Sequence, residues 1–235
     1  MRPQQPCKTS HLKRITQEFK PTGYTETLLK IFWAMYEKLG SQHWWPGETP
    51  FEISIGAILT QNTSWKNVEK AIDNLKSKNL LDPFKLFQLE DYKLANLIRP
   101  AGYYNIKTVR LKNFLKFLIN GYNGDLNNLA REELYVARKK LLEVKGIGPE
   151  TGDSILLYAL NQPSFVVDAY TIRILSRHDI ILEDMDYHDV RDLFMSNLPN
   201  DSCLFNEYHA LFVKIGKDFC KKKTPLCSSC PLKEY

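Results

Sequence analysis

Apolar positions recur along this chain at intervals of three and four, and that spacing predicts its elements. Thr22 to Gly40 carries Leu28, Leu29, Phe32, Trp33, Met35 and Tyr36 at helical intervals, and Gly40 can end the helix as a C-cap. Thr49-Pro50-Phe51-Glu52 reads as a helix start: Thr49 is the N-cap, Pro50 takes the first helical position, and Glu52 is a capping-box partner. That helix continues through Ile53, Ile55, Gly56, Ile58 and Leu59, apolar enough for burial on most sides. It stops at the polar patch Thr60-Gln61-Asn62-Thr63-Ser64. Trp65 to Lys76, Leu86 to Ile98, Asn105 to Ile119 and Arg131 to Val144 show the same periodicity, separated by Gly, Asn, Asp or Pro breaks. Further helices are expected at Pro149 to Leu160, Ala169 to His178, Asp189 to Leu198 and Cys203 to Cys220. Nothing alternates with period two, and there is no internal repeat or low-complexity tract, so the fold class is all-α with short loops.

Composition changes this picture little. The 235 residues suffice for one large domain or two small ones, and 43% apolar with 25% charged residues is ordinary globular usage. No apolar run approaches the ~20 residues that cross a bilayer. Met1 to Pro21 is basic without an apolar core region, which excludes a secretory signal and reads as a flexible or late-docking arm of a cytoplasmic protein. The net charge of +5 is modest, but Lys107, Arg110 and Lys112, then Arg138, Lys139 and Lys140, then Lys221, Lys222 and Lys223 form basic clusters. Such clusters are most often solvated faces and only support a polyanionic partner. Three of five cysteines, Cys220, Cys227 and Cys230, crowd the C-terminus, a pattern closer to metal binding than to a disulfide framework in a cytosolic chain.

The chemistry centres on Leu141 to Asp153. Leu134, Ala137, Leu141 and Val144 line one helix face and Gly152, Ile155, Leu156 and Ala159 line the next, with Lys145-Gly146-Ile147-Gly148 between them. Two glycines at positive φ would allow the tight turn while Ile147 plugs it into the core, and Pro149 suits the first position of the second helix. Such a turn presents backbone N–H groups at a helix N-terminus, which accept a phosphate, although a glycine turn alone is also an ordinary helical hairpin. Asp168, just before Ala169-Tyr170-Thr171, stands where an N-cap is expected.

The full pattern, Leu-x-x-Val-Lys-Gly-Ile-Gly-Pro-x-Thr-x-Asp from Leu141, then Val166-Val167-Asp168-Ala169-Tyr170, resembles the helix-hairpin-helix glycosylase superfamily that includes endonuclease III and the adenine and alkylpurine glycosylases. The likeness extends from about Thr49 to Cys230, with Leu59-Thr60-Gln61-Asn62-Thr63 and Gly102-Tyr103-Tyr104-Asn105-x-Lys107 in the family's order, and is nearest the 3-methyladenine DNA glycosylase III type. It implies a DNA repair enzyme of two helical lobes with the active cleft between them. Residues 44–160 would form a central lobe with the hairpin at 134–160; residues 22–43 and 161–219 would form the other; residues 220–235 would form the cysteine loop, and residues 1–21 the arm. The partner implied is double-stranded DNA with a flipped damaged base, met by a monomer associated with the nucleoid.

By the same resemblance Asp168 matches the catalytic aspartate, which stabilises positive charge on the sugar and helps activate water. Capping and catalysis can coexist in one carboxylate. Lyase-competent relatives carry a lysine where this chain has Glu150; glutamate cannot form a Schiff base, so hydrolysis without strand cleavage is expected. Lys145, Gly146, Ile147, Gly148 and Thr151 would meet the DNA backbone. Trp44, Trp45 and Pro46 would form an aromatic pocket that favours a cationic alkylated purine, with Trp45 the better candidate because Pro46 pins the chain after it. Either ring could equally be core packing. Gln61 and Asn62 match the position of a side chain that enters the base stack, and Tyr104 and Lys107 a loop that touches the strand; each also reads as an ordinary polar or surface residue.

Cys220, Cys227 and Cys230 match three ligands of the endonuclease III type [4Fe-4S] loop, of structural role. The fourth cysteine is expected just after Tyr235, where the sequence ends. The site is then cut one residue short, completed by another ligand, or lost; Cys203 could be recruited only by a bent helix and Cys7 only by a folded-back arm. Two other readings stay open: a glycosylase for an oxidised or mismatched base, and a non-catalytic DNA-binding hairpin protein.

Overall fold

The structure, a computed structural model, describes residues 7–20, 23–42, 44–182 and 184–235. Among them the chain is helical and has no strand. In order, the helices are α1 (Thr9–Glu18), α2 (Thr25–Leu39), α3 (Pro50–Leu59), α4 (Trp65–Lys76), α5 (Pro83–Gln88), α6 (Asp91–Leu97), α7 (Tyr104–Tyr122), α8 (Leu126–Leu129), α9 (Leu134–Leu142), α10 (Pro149–Ser154), α11 (Ala169–Arg177), α12 (Tyr187–Asn197) and α13 (Ser202–Asp218). No described helix is long and apolar enough to cross a membrane. The chain divides into two compact units, one of residues 45–162 and one of the described residues from 7–44 together with 163–235.

Helix α3 is the axis of the first unit. Every residue from Glu52 to Leu59 is buried, as an all-round apolar helix requires. Thr49 caps it by accepting from the Glu52 amide at 3.1 Å, while the Glu52 carboxylate accepts from Glu48 N rather than from the cap residue. Its far end is satisfied from an unexpected source. Lys107 of α7 is buried, and its ammonium donates to the carbonyls of Leu59 (2.9 Å) and Ala101 (2.7 Å). The expectation of a surface lysine at the DNA is therefore corrected: two backbone acceptors at the ends of neighbouring elements draw Lys107 inward. The rest of that basic cluster is also committed, Lys112 to the carbonyls of Phe87 (2.6 Å) and Leu89.

The expected helix from Leu86 to Ile98 is two, because Leu89 and Glu90 are extended and Asp82 with Pro83 starts α5 earlier. The second helix of the hairpin, expected to run to Leu160, is α-helical only to Ser154 and continues as a π-helical turn over Ile155–Ala159.

The second unit is built on α13, whose residues Leu204 to Val213 are all buried and which packs against α2 and α11. Its core is aromatic: Phe165 stacks on Phe194 with centroids 3.8 Å apart, and Tyr208 meets Phe32 at 5.3 Å and Phe212 at 4.8 Å. The buried Tyr208 hydroxyl donates to the Leu28 carbonyl at 2.8 Å. Helix α12 starts earlier than expected because Asp186 and Asp189 form a reciprocal capping box.

The segment expected to be a flexible arm contains α1. Leu12 is fully buried, Thr9 hydrogen-bonds the Tyr36 hydroxyl at 2.9 Å, and Cys7 is joined to Cys203. The basic residues of this segment hid its single apolar anchor. Residues 1–6, Pro21, Thr22 and His43, which fall in the expected arm, first helix and tryptophan connector, lie outside the described residues.

Substituting Lys107 with methionine keeps the apolar stem but leaves two buried carbonyls without their donor, which should lower stability by about 2–4 kcal/mol. Burial, then the nearby Arg110 charge, lowers the Lys107 pKa to about 8. The unfolded chain therefore holds the extra proton between about pH 8 and the ordinary lysine value, and stability should rise with pH across that window. Denaturant unfolding should show that rise in the parent protein and its loss in Lys107→Met.

Candidate active site and DNA-contacting hairpin

In the first unit, α9, the turn Glu143–Gly148 and α10 form the hairpin. Only one glycine has positive φ: Gly146, at +101°, where an added Cβ would also lie 2.4 Å from the Arg110 side chain. Gly148 is extended and serves as N-cap of α10, with nothing within 4 Å of where its Cβ would be. Its role is openness rather than conformational freedom, which corrects the expectation of two positive-φ glycines. Ile147 is buried, as the plug reading requires, and Gly152 leaves room for it at 3.7 Å.

The turn is held from the residues after α3 and from α7. Gln61 donates to the Gly146 carbonyl (3.1 Å) and to Thr151 Oγ1 (2.9 Å), and Arg110 donates to the Gln61 side-chain carbonyl. Asn113 donates to the Lys145 carbonyl at 2.9 Å. Two further expectations change here. Gln61 has both ends of its amide committed, and Thr151 is buried as its acceptor, so these two brace the turn. Asn62, exposed and in the left-handed region at φ 54°, remains available. Lys145 is exposed and Glu150 is exposed in the first turn of α10. Arg138 binds the fully buried Asp153 through two nitrogens at 2.8 and 3.0 Å, locking α9 to α10.

In the loop before α7, Tyr103 is the protruding aromatic, 68% exposed at φ 46°, while Tyr104 is half-buried with Arg99 over its ring at 5.8 Å. Trp45 packs edge-on against Trp65 and tilted against Tyr158, each at 5.1 Å. Trp44 belongs to the second unit, where the Lys217 ammonium lies 5.6 Å from its ring centre. Pro46 is exposed.

In the second unit Asp168 does cap α11. Its Oδ1 accepts from Tyr170 N (2.9 Å), Thr171 N (2.8 Å) and Thr171 Oγ1 (3.0 Å). Its Oδ2 faces His209 Nε2 of α13 at 3.5 Å. Burial alone would raise this carboxyl, but the His209 imidazole and the Thr171 donors outweigh it and hold the pKa below the ordinary aspartate value. The carboxylate is thus ionised and oriented, the state required to stabilise a developing cation. Sequence reasoning missed His209, Arg110 and Asp153. The basic spacing Lys107-x2-Arg110 was visible, but nothing local marks a histidine in a long apolar helix as facing an aspartate 41 positions upstream.

Of the three C-terminal thiols, Cys220 lies beside α11. Arg177 donates to Cys220 Sγ at 3.3 Å and Leu232 N to Cys230 Sγ at 3.4 Å, the kind of N–H···S support that cluster thiolates receive. Burial first, and then the neighbouring Cys220 and Cys227, raises the Cys230 thiol, so these sulfurs repel one another as thiolates in the absence of a cation. These are three of the four cysteines that a [4Fe-4S] cluster takes, and Cys7 and Cys203, joined to each other, supply no fourth.

A turn with one obligatory glycine and an open second glycine between α9 and α10 is a helix-hairpin-helix element. Residues 55–200 match the HhH-GPD superfamily of base excision DNA repair proteins, and the chain belongs to it. A Methanocaldococcus jannaschii protein provisionally named a DNA repair glycosylase is 49% identical over 212 residues, 89% of this chain and 96% of its own. Endonuclease III of Thermotoga maritima is 27% identical over 190 residues, 79% of this chain and 82% of its own. Among solved structures, H. pylori 3-methyladenine DNA glycosylase bound to 1,N6-ethenoadenine superposes with a TM-score of 0.72 at 29% identity, over 81% of this chain and 97% of that one. A non-covalent endonuclease III–DNA complex shares the fold, with a TM-score of 0.78 at 23% identity over 90% and 94%.

Gly146→Ala forces a side chain into both a disfavoured φ and Arg110, and should cost about 1–3 kcal/mol. Gly148→Ala should cost less than about 1 kcal/mol yet weaken duplex binding, because its added methyl occupies the open side of the turn; thermal melts and fluorescence anisotropy separate the two. Because the folded Asp168 pKa is depressed, its stabilisation is full above the unfolded value and is lost as pH falls through the folded one. Asp168→Asn should therefore flatten the acid limb of the stability profile, read by urea unfolding from neutral to acid pH.

Proposed function

We propose that this protein is a monofunctional DNA glycosylase that hydrolyses the N-glycosidic bond of alkylated, 3-methyladenine-like purines. The observation that carries the reading is the Asp168 carboxylate, ionised and fixed in orientation, with one oxygen held by three donors and the other beside His209. As the base departs with the electron pair of the C–N bond, positive charge develops on the sugar and Oδ2 lowers its energy; water then adds to the same carbon and passes its proton to the Asp168 carboxylate. The turn from Lys145 to Gly148 would take a backbone phosphate through its amides and the Lys145 ammonium. Asn62, exposed on its left-handed corner, is the side chain suited to the gap left by a flipped base. Tyr103, rather than Tyr104, is suited to the strand beside it.

Support for an alkylated purine comes from Trp45, whose ring is grouped with Trp65 and Tyr158, since tryptophan faces attract a cationic base. The printed name of the H. pylori structure, a 3-methyladenine DNA glycosylase, points the same way. Glu150 supports hydrolysis without strand cleavage. An endonuclease III has been trapped as a covalent intermediate with DNA, and the lysine that resemblance calls for is replaced here by a group that forms no Schiff base. Cys220, Cys227 and Cys230 would hold an iron-sulfur cluster that stiffens the C-terminal loop, and its Lys221 to Lys223 would meet phosphate. The protein would act as a monomer on duplex DNA. The names of a Pyrobaculum aerophilum relative, a thymine/uracil-DNA glycosylase, and of a Clostridium acetobutylicum 8-oxoguanine glycosylase/lyase that shares the fold favour one second reading, an oxidised or mismatched base as substrate.

A panel of duplexes, each with one alkylated, oxidised or mismatched base, tests both readings by detection of the free base. Alkylated purine should be released by the parent protein and at least about 100-fold more slowly by Asp168→Asn, with no borohydride-trapped adduct. Full-rate release by Asp168→Asn, or a trapped adduct, would overturn the assigned chemistry.

A further inference from the structure

His11, Asp201 and Cys203 meet at one point of the second unit that the DNA chemistry does not use, and Cys7 is bonded to the last of them. Cys7 precedes α1 and His11 lies four residues on, in its first turn; Asp201 is the N-cap of α13 and Cys203 lies in that helix's first turn. The two sulfurs are bonded, with their Cα atoms 5.7 Å apart. His11 Nε2 is 2.9 Å from Asp201 Oδ2, and the donor atoms of His11, Asp201 and Cys203 all lie within 4.8 Å of one another. Asp201 spends only Oδ1 on its cap, accepting from Leu204 N at 2.9 Å, so Oδ2 is the oxygen turned to the cluster. All four side chains are half-buried.

Two sulfurs, an imidazole nitrogen and a carboxylate oxygen on two helix starts are the donor set of a tetrahedral structural zinc site. Base excision repair works on chromosomal DNA, usually where thiol reductants keep disulfides open. We propose that in the reduced protein Cys7, His11, Asp201 and Cys203 together bind one Zn2+ ion, which replaces the disulfide as the clasp between α1 and α13. A dithiol reductant delivers two electrons and two protons to the disulfide and is itself oxidised to a disulfide. Zn2+ then displaces the two thiol protons and is completed by neutral His11 and ionised Asp201. The His11–Asp201 hydrogen bond gives way to two bonds to the ion, with donors about 3.3 Å apart in an ideal tetrahedron.

The test is zinc content by elemental analysis and Co2+ absorption on the full chain, kept in a dithiol reductant, beside Cys7→Ser and His11→Ala. The expected result is one more zinc per chain in the parent than in either variant. A thiolate-to-cobalt charge-transfer band should likewise fall in Cys7→Ser, and the thermal midpoint should rise more with Zn2+ in the parent than in either variant. Cys220, Cys227 and Cys230 are common to all three proteins and cancel in the difference. Equal zinc content in parent and variants, all folded by circular dichroism, would overturn the site. So would a Cys7–Cys203 disulfide that survives the reductant, detected by alkylation and mass.

Discussion

The second unit depends on how one carboxylate is shared. Asp168 ends an extended, buried segment and begins α11, and its Oδ1 takes three donors from the first turn of that helix. That is more than a cap needs, and the consequence is a carboxylate with a fixed plane. The second oxygen is set by packing between helices: α11 lies so close to α13 that a Cβ on Gly216 would fall 2.2 Å from the Tyr170 ring. The same approach brings His209 to Oδ2 and keeps the charged form favoured despite burial. A larger residue at Gly216 would separate the helices and release that oxygen from its neighbour.

Helix α11 carries the arrangement onward to the cysteine loop. Arg173 reaches the carbonyls of Cys220 and Gly216 at 2.9 and 3.1 Å, and Arg177 reaches Cys220 Sγ and the carbonyls of Lys221 and Lys222. One nine-residue helix therefore orients the carboxylate at its start and holds the loop at its end. A structural cluster in that loop would act on the site through α11, with no part in the chemistry itself.

The first unit solves a different problem, a tight turn that must stay open on one side. Gly146 bends it, Ile147 anchors it, and Gln61, itself braced by Arg110, and Asn113 hold its carbonyls from behind. The turn's acceptors are consumed internally while its other side carries Gly148 and the exposed Lys145, a division that suits an anionic partner. Charges that look like a solvated basic face are largely structural: Lys107 and Lys112 satisfy carbonyls, Arg110 braces Gln61, and Arg138 neutralises Asp153.

The sequence by itself determined the all-α class, most helix positions, the Thr49 and Asp168 caps, the Ile147 plug and the family, because each rests on local periodicity, capping chemistry or a contiguous motif. Trp65–Lys76 was legible to the residue, since Ser64 and the apolar spacing bound it on both sides. It did not determine where a long side chain goes once the chain has folded. Lys107 and Gln61 carry polar ends on flexible stems, and only the positions of Leu59, Ala101 and Gly146 in space decide that these ends turn inward. The same holds for pairs distant in sequence. His209 with Asp168, Cys7 with Cys203 and His11 with Asp201 leave no periodic trace, because their proximity is created by helix packing and not by the chain between them.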